Sequence, residues 1–104
     1  MAGRTYFVVR AVIASSEDRA AFDHWYQTEH LPDAMKIFGA THAFRAWSRT
    51  DPAIHCAYYE FPTLLAAESI GDSDGIKGLI TEFDAKWAGR VTRTREIFEV
   101  VDER

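Results

Sequence analysis

The sequence predicts an α+β domain built in the order strand, helix, strand, strand, helix, strand. Three observations carry this. Runs rich in β-branched and aromatic residues occur at 5–13, 41–49, 54–61 and 91–101. Helical spacing of apolar residues replaces them over 17–30 and 76–87. Serine, aspartate, proline and glycine punctuate the junctions. Short connections in this order give a ferredoxin-like fold, a four-stranded antiparallel sheet with its helices on one face. The 104 residues suit one domain spanning 1–104.

The first strand, 5–13, carries Tyr6, Val8 and Val12 on one face and Phe7, Val9, Ala11 and Ile13 on the other. Its lead-in, Met1-Ala2-Gly3-Arg4, runs straight into it, and Arg10 interrupts the apolar run, with no signal-peptide cleavage pattern after it. Ser15-Ser16-Glu17-Asp18 opens a helix with a cap and acids that complement the helix dipole. Phe22, Trp25, Tyr26 and Glu29 follow i, i+3, i+4, i+7 spacing and share an inward face. His30 falls at the rim of that face and His24 opposite it. Pro32 is expected to end or kink the helix at Leu31, with 33–38 as a second short helix closed by Gly39.

The strand at 41–49 places His42, Phe44, Ala46 and Ser48 on one side and Ala43, Arg45, Trp47 and Arg49 on the other. Thr50-Asp51-Pro52 turns it into the strand at 54–61. A short helix over 64–70 follows Pro62-Thr63. Asp72-Ser73-Asp74-Gly75 is a loop and capping cluster before the cleanest amphipathic stripe of the chain, Ile76, Leu79, Ile80, Phe83 and Trp87. Gly89 ends that helix, and 91–101 is the last strand.

A net charge of −4 argues against nucleic acid and anionic membranes as partners. No stretch approaches the ~20 apolar residues of a membrane span. The single cysteine, Cys56, cannot form an internal disulfide, which fits a reducing, cytoplasmic location, and mid-strand it reads as a small buried hydrophobe. Large apolar residues lie on both sides of the sheet, including Phe44, Trp47, Tyr58, Tyr59, Phe61, Ile97 and Phe98. Exposing one face would cost about 25 cal/mol per Å² of apolar area. A second copy, sheet against sheet about a two-fold axis, is the simplest cover, so a homodimer is expected.

Asp23 to Pro32 is the stretch densest in groups that do chemistry. His30 titrates near neutrality and suits a general acid or base; at a helix end it equally suits a cap stabilised by the dipole. Glu29, if buried, acts as an acid of raised pKa or pairs with Arg45 or His42; otherwise it bends to solvent. Tyr26 can orient a carbonyl or phenolate. Trp25 and Phe22 are pocket walls or core. Arg45 can hold an anionic substrate or bridge the dimer interface. His24 and His55 have no evident partner and read as surface or interface residues. His24 and His30 are off the i, i+4 spacing of helical metal ligands, and no phosphate loop, dinucleotide fingerprint or nucleophile elbow occurs, so neither metal nor cofactor is called for.

Trp25-Tyr26-x-x-Glu29-His30-Leu31-Pro32, then Gly39 and Phe44-Arg45, resembles the EthD-like branch of the dimeric α+β barrel superfamily. Phe38-Gly39-Ala40 departs from the Pro-Gly-Phe typical there, which bears on the turn and the pocket floor. The resemblance implies a dimeric α+β barrel with a small-molecule pocket between sheet and helices in each subunit. Relatives include cofactor-free monooxygenases, polyketide cyclases, muconolactone isomerases, haem-degrading enzymes and stress-response proteins. Three readings stand side by side. One is a metal-independent isomerase, cyclase or monooxygenase of an aromatic, polyketide-like or lactone substrate, using His30, Tyr26 and Glu29, with Trp25, Phe22 and Arg45 around the substrate. The others are a haem-dependent enzyme of the same fold and a non-catalytic ligand-binding dimer.

Overall fold

A computed structural model describes residues 4–71 and 73–104. The lead-in Met1-Ala2-Gly3 and Asp72 of the capping cluster lie outside them. The order of elements is β1 (Thr5–Ile13), α1 (Ser16–Trp25), a π-helical turn (Tyr26–His30), α2 (Leu31–Phe38), β2 (His42–Trp47), β3 (Ile54–Phe61), α3 (Leu64–Glu68), α4 (Asp74–Trp87) and β4 (Val91–Glu99). The four strands form one antiparallel sheet in the order β2-β3-β1-β4, the ferredoxin-like arrangement, with the helices packed on one face.

Register divides the sheet into two faces. Phe7 lies opposite Tyr59 and Ile97, Val9 opposite Ala57 and Arg95, and Ala11 opposite His55 and Arg93. These residues lie under the helices. Tyr6, Val8, Phe44, Cys56, Tyr58 and Phe98 occupy the other face. There Phe44 stacks on Tyr58 at 4.6 Å, Tyr6 meets both edge-on, and Phe44 and Phe98 stay 42% and 49% exposed. Cys56, expected to be buried, is therefore only half-buried on this uncovered face.

Helix caps follow the local chemistry. Ser15 and Ser73 accept from the backbone N–H groups of Glu17 and Ile76, opening α1 and α4, and Thr63 opens α3. Gly39 closes α2 at φ 68°, a left-handed conformation that disfavours a side chain. At Gly75 a Cβ would come within 2.4 Å of an Ile37 methyl carbon, so the glycine lets α4 sit close on α2.

Pro32 does not end the helix. Leu31 stays helical at φ −63°, ψ −48°, and the backbone runs on into α2. A proline within an α-helix drives its ring against the carbonyl four residues back and leaves that carbonyl unbonded. Here the turn before it widens, and the Leu31 N–H donates to the Tyr26 carbonyl five residues back. The wider turn accommodates the proline without stopping the chain.

Candidate functional site

The site is built on that π-helical turn. Phe22, Trp25 and Tyr26 arrive at i, i+3, i+4 spacing and are buried against the sheet. In a regular α-helix His30 would stand about 140° around the axis from Trp25, and Glu29 would return to Trp25's face. The wider turn makes the fifth residue return instead. His30 accordingly stacks on Trp25 at 4.4 Å with ring planes 20° apart, and meets Tyr26 edge-on at 4.9 Å. His30 is buried, not at a rim, with 7% of its surface exposed. Glu29, expected inward, is exposed for the same reason.

His30 and Tyr26 line an internal cavity of ≈ 30 Å³ together with Tyr59, Phe83, Arg93 and Arg95. Its apolar wall comes from Phe7, Val9, Ala34, Phe38 and the α4 residues Ile76, Leu79 and Ile80. The cavity has room for one or two water-sized groups. A larger cleft of ≈ 400 Å³ runs along α4 and β4 and shares Phe7, Ile76, Ile80 and Arg95 with it. Of these two, the cleft falls in the ~300–1,000 Å³ range of small-molecule sites.

Burial governs the ionisation of the inner groups. It pushes the His30 pKa down to about 4, helped by the nearby Arg93 charge, so the ring is neutral at pH 7. The His30 Nδ1 is buried with no hydrogen-bond partner among the described residues. Burial pushes Tyr26 up to about 12, against the opposing pull of the Tyr59 hydroxyl contact at 3.5 Å and of Arg93, Arg45 and Arg95. Tyr59 is raised by burial as well. Arg93 lies over the Phe83 ring at 3.8 Å and donates to Asp84 at 3.3 Å. Burial and the neighbouring Arg95 lower its pKa. The result is a neutral imidazole and protonated phenols beside guanidinium groups, an arrangement that steadies an anion and in which the imidazole gains a proton only when such an anion forms beside it.

The remaining predicted site residues fall elsewhere. Trp25 backs the His30 ring, and Phe22 is fully buried between Tyr26, His55 and Trp87. Arg45 is on the helix side of β2, but outside the cavity. It donates to Asp23 at 2.7 Å, and the Trp47 indole N–H donates to the same carboxylate oxygen at 2.7 Å. These two hydrogen bonds hold the Asp23 carboxyl below the usual range. His24 and His42 are exposed.

His55 is the clearest difference. Expected at the surface or an interface, it is fully buried on the helix side, packed against Tyr26 at 4.6 Å and Trp47 at 4.9 Å. Its Nε2 lies 3.4 Å from Arg45, which can only donate, so Nε2 accepts and Nδ1 carries the proton. Period-two counting from Phe61 through Tyr59 and Ala57 reaches His55 on the helix side, and the same count from Val91 reaches Arg93 and Arg95. That signal was present in the sequence.

Among the described residues no cluster of three His, Cys, Asp or Glu side chains could hold a metal ion. Haem does not fit: His30 is sandwiched by Trp25 and edged by Tyr26 and Phe83, and the ≈ 30 Å³ beside it is far below what a macrocycle needs. Among the described residues no helix is long and apolar enough to cross a membrane.

No family model and no curated protein matches the sequence. Solved structures do match the fold. An EthD family protein from Bacillus halodurans superposes with a TM-score of 0.67 at 21% identity, covering 92% of this chain and 99% of that one. SnoaB, a cofactor-independent oxygenase from Streptomyces nogalater, gives 0.67 at 15% identity over 97% and 96% of the two chains. HapK from Hahella chejuensis gives 0.68 at 10% identity over 96% and 95%. In its fold the chain is thus similar to these proteins, a ferredoxin-like α+β protomer as its order of elements predicts.

Proposed function

We propose that this protein is a homodimeric small-molecule enzyme that moves a proton on an enolisable or phenolic aromatic, polyketide-like or lactone substrate. The observation that carries the reading is the buried, neutral His30 with an unpartnered Nδ1, lining a cavity that adjoins a ligand-sized cleft. The substrate lies along α4 and β4 and presents its acidic C–H or O–H to His30. The imidazole takes that proton, Tyr26 donates its hydroxyl hydrogen to the oxygen that gains charge, and Arg93 stabilises the anion. Returning the proton to another atom gives isomerisation. Attack of the anion on an internal carbonyl gives cyclisation, and its reaction with dioxygen gives oxygenation. Glu29, being exposed, has no part in the step. The cofactor-independent oxygenase among the structural neighbours supports cofactor-independent chemistry on this fold.

The dimer rests on the uncovered aromatic face of the sheet. Tyr6, Val8, Phe44, Tyr58 and Phe98 form a flat apolar surface of the kind a second copy covers. A non-catalytic dimer that binds ligands only in the outer cleft is a second reading, supported by the small inner cavity.

The two readings separate in deuterium oxide. Aryl ketones and aryl lactones are incubated with the protein, and loss of the proton next to the carbonyl is followed by NMR. The enzyme reading expects accelerated exchange that falls about 10²-fold or more in His30→Ala with the circular dichroism unchanged. Equal rates in the two proteins would remove His30 from the mechanism.

A further inference from the structure

The cavity wall has a charge pattern opposite to that of the chain. The protein is acidic overall, at −4, yet the inner cavity is lined by two guanidinium groups and no carboxylate. Arg93 and Arg95 occupy successive helix-side positions of β4, opposite Ala11 and Val9. Arg93 is partly balanced by Asp84 at 3.3 Å. Arg95 makes no ion pair or hydrogen bond among the described residues, and it lines both the inner cavity and the outer cleft. The one carboxylate on that cleft, Glu96, belongs to the other face of β4 by alternation, opposite Val8. Two like charges side by side repel, and an anion bound beside them relieves that repulsion.

One guanidinium suffices for the charge that develops on a substrate during proton removal. Arg93, the deeper of the two and the one whose charge bears on His30, occupies that role. The second is left free at the mouth, where it can hold an anion that the substrate already carries. From this we infer that the natural substrate is an aromatic carboxylate, gripped by Arg95 at the junction of cleft and cavity with its ring along Ile76 and Ile80. A guanidinium meets a planar carboxylate with two parallel N–H donors. The inner space has room for only one or two water-sized groups, which favours a flat two-oxygen group at its mouth over a bulkier tetrahedral phosphate. This rests on the proposed reading of the site and specifies its substrate class.

The test compares three probes of one shape, 2-naphthoate, neutral 2-naphthamide and 2-naphthyl phosphate. Binding is measured by titration calorimetry, and the site is located by NMR of the Ile76 and Ile80 methyl groups. Naphthoate is expected to bind at least tenfold tighter than the amide and the phosphate. Arg95→Met should abolish the preference while Arg95→Lys keeps part of it, and added salt should erode it in the wild-type protein. Because Arg95 is exposed and unpaired, these variants should fold. Naphthamide binding in the cleft as tightly as naphthoate, or an unchanged preference in Arg95→Met, overturns the carboxylate assignment and leaves the site reading standing. Tighter binding of the phosphate overturns it in favour of a phosphorylated substrate. Failure of all three probes to move the Ile76 and Ile80 signals overturns the site reading itself, and the inference with it.

Discussion

Two buried histidines make the fold sensitive to mild acid, and His55, the more deeply buried, gives the cleaner experiment. Burial pushes its pKa down from 6.5 to about 4, Arg45 and His30 push the same way, and Asp23 opposes them. Between those two pH values the unfolded chain binds a proton that the folded chain refuses. Stability is therefore complete above the unfolded pKa and falls as the pH drops toward 4. At pH 5 the penalty is about 2 kcal/mol for one such group, and at pH 7 it has nearly vanished. His30, with the same shift, adds a similar amount, so the wild-type protein should lose about 4 kcal/mol between pH 7 and pH 5. That is a large part of the ~5–15 kcal/mol available to a domain. His55→Phe keeps an aromatic ring against Phe22, Tyr26 and Trp47 and removes an N–H with no acceptor among the described residues. At pH 7 its stability should equal or exceed that of the wild type, and its loss on going to pH 5 should be about half as large. Urea unfolding followed by the fluorescence of Trp25, Trp47 and Trp87, at one protein concentration, measures both slopes. Parallel pH dependences would refute the reasoning, because they would mean that His55 takes up its proton in the folded state.

Two further outcomes follow from the backbone and the open sheet face. Gly39 has φ 68° and open space where a Cβ would stand, so Gly39→Ala should lower the unfolding free energy by about 1 kcal/mol through backbone strain alone; an unchanged urea midpoint would contradict this. Phe44, stacked on Tyr58 and 42% exposed, should lie in the sheet-to-sheet interface. Light scattering at micromolar concentration should give a two-chain mass for the wild type and a one-chain mass for Phe44→Glu, and a one-chain mass for the wild type would defeat the proposed dimer.

The strands were legible because their chemistry is redundant. β1 and β3 are found at the predicted 5–13 and 54–61, where β-branched and aromatic residues alternate between unmistakable turns. The stripe Ile76, Leu79, Phe83, Trp87 fixed the buried face of α4 in advance. What counting could not show was the π-helical turn. Spacing rules assume 100° per residue, so they set Glu29 inward and His30 at an edge, and one widened turn exchanged them. The rule that a proline ends or kinks a helix describes an α-helix, not one whose preceding turn has already opened. His55 was misplaced by treating a histidine as polar before counting its strand parity. The Asp23–Arg45–Trp47 cluster joins a helix to a strand more than twenty residues away, and no local pattern encodes such a contact.

The central claim is that small aromatic molecules bind between α4 and β4 with His30 at the inner end. The most direct measurement is NMR of isoleucine methyl groups during titration with 2-naphthoate, with the His30 ring signals followed in parallel. The predicted result is that Ile76, Ile80 and Ile97 shift together with His30, while Ile13 and Ile54 stay in place. Shifts at Ile54 on the open face without change at Ile76 and Ile80, or a silent His30, would contradict it.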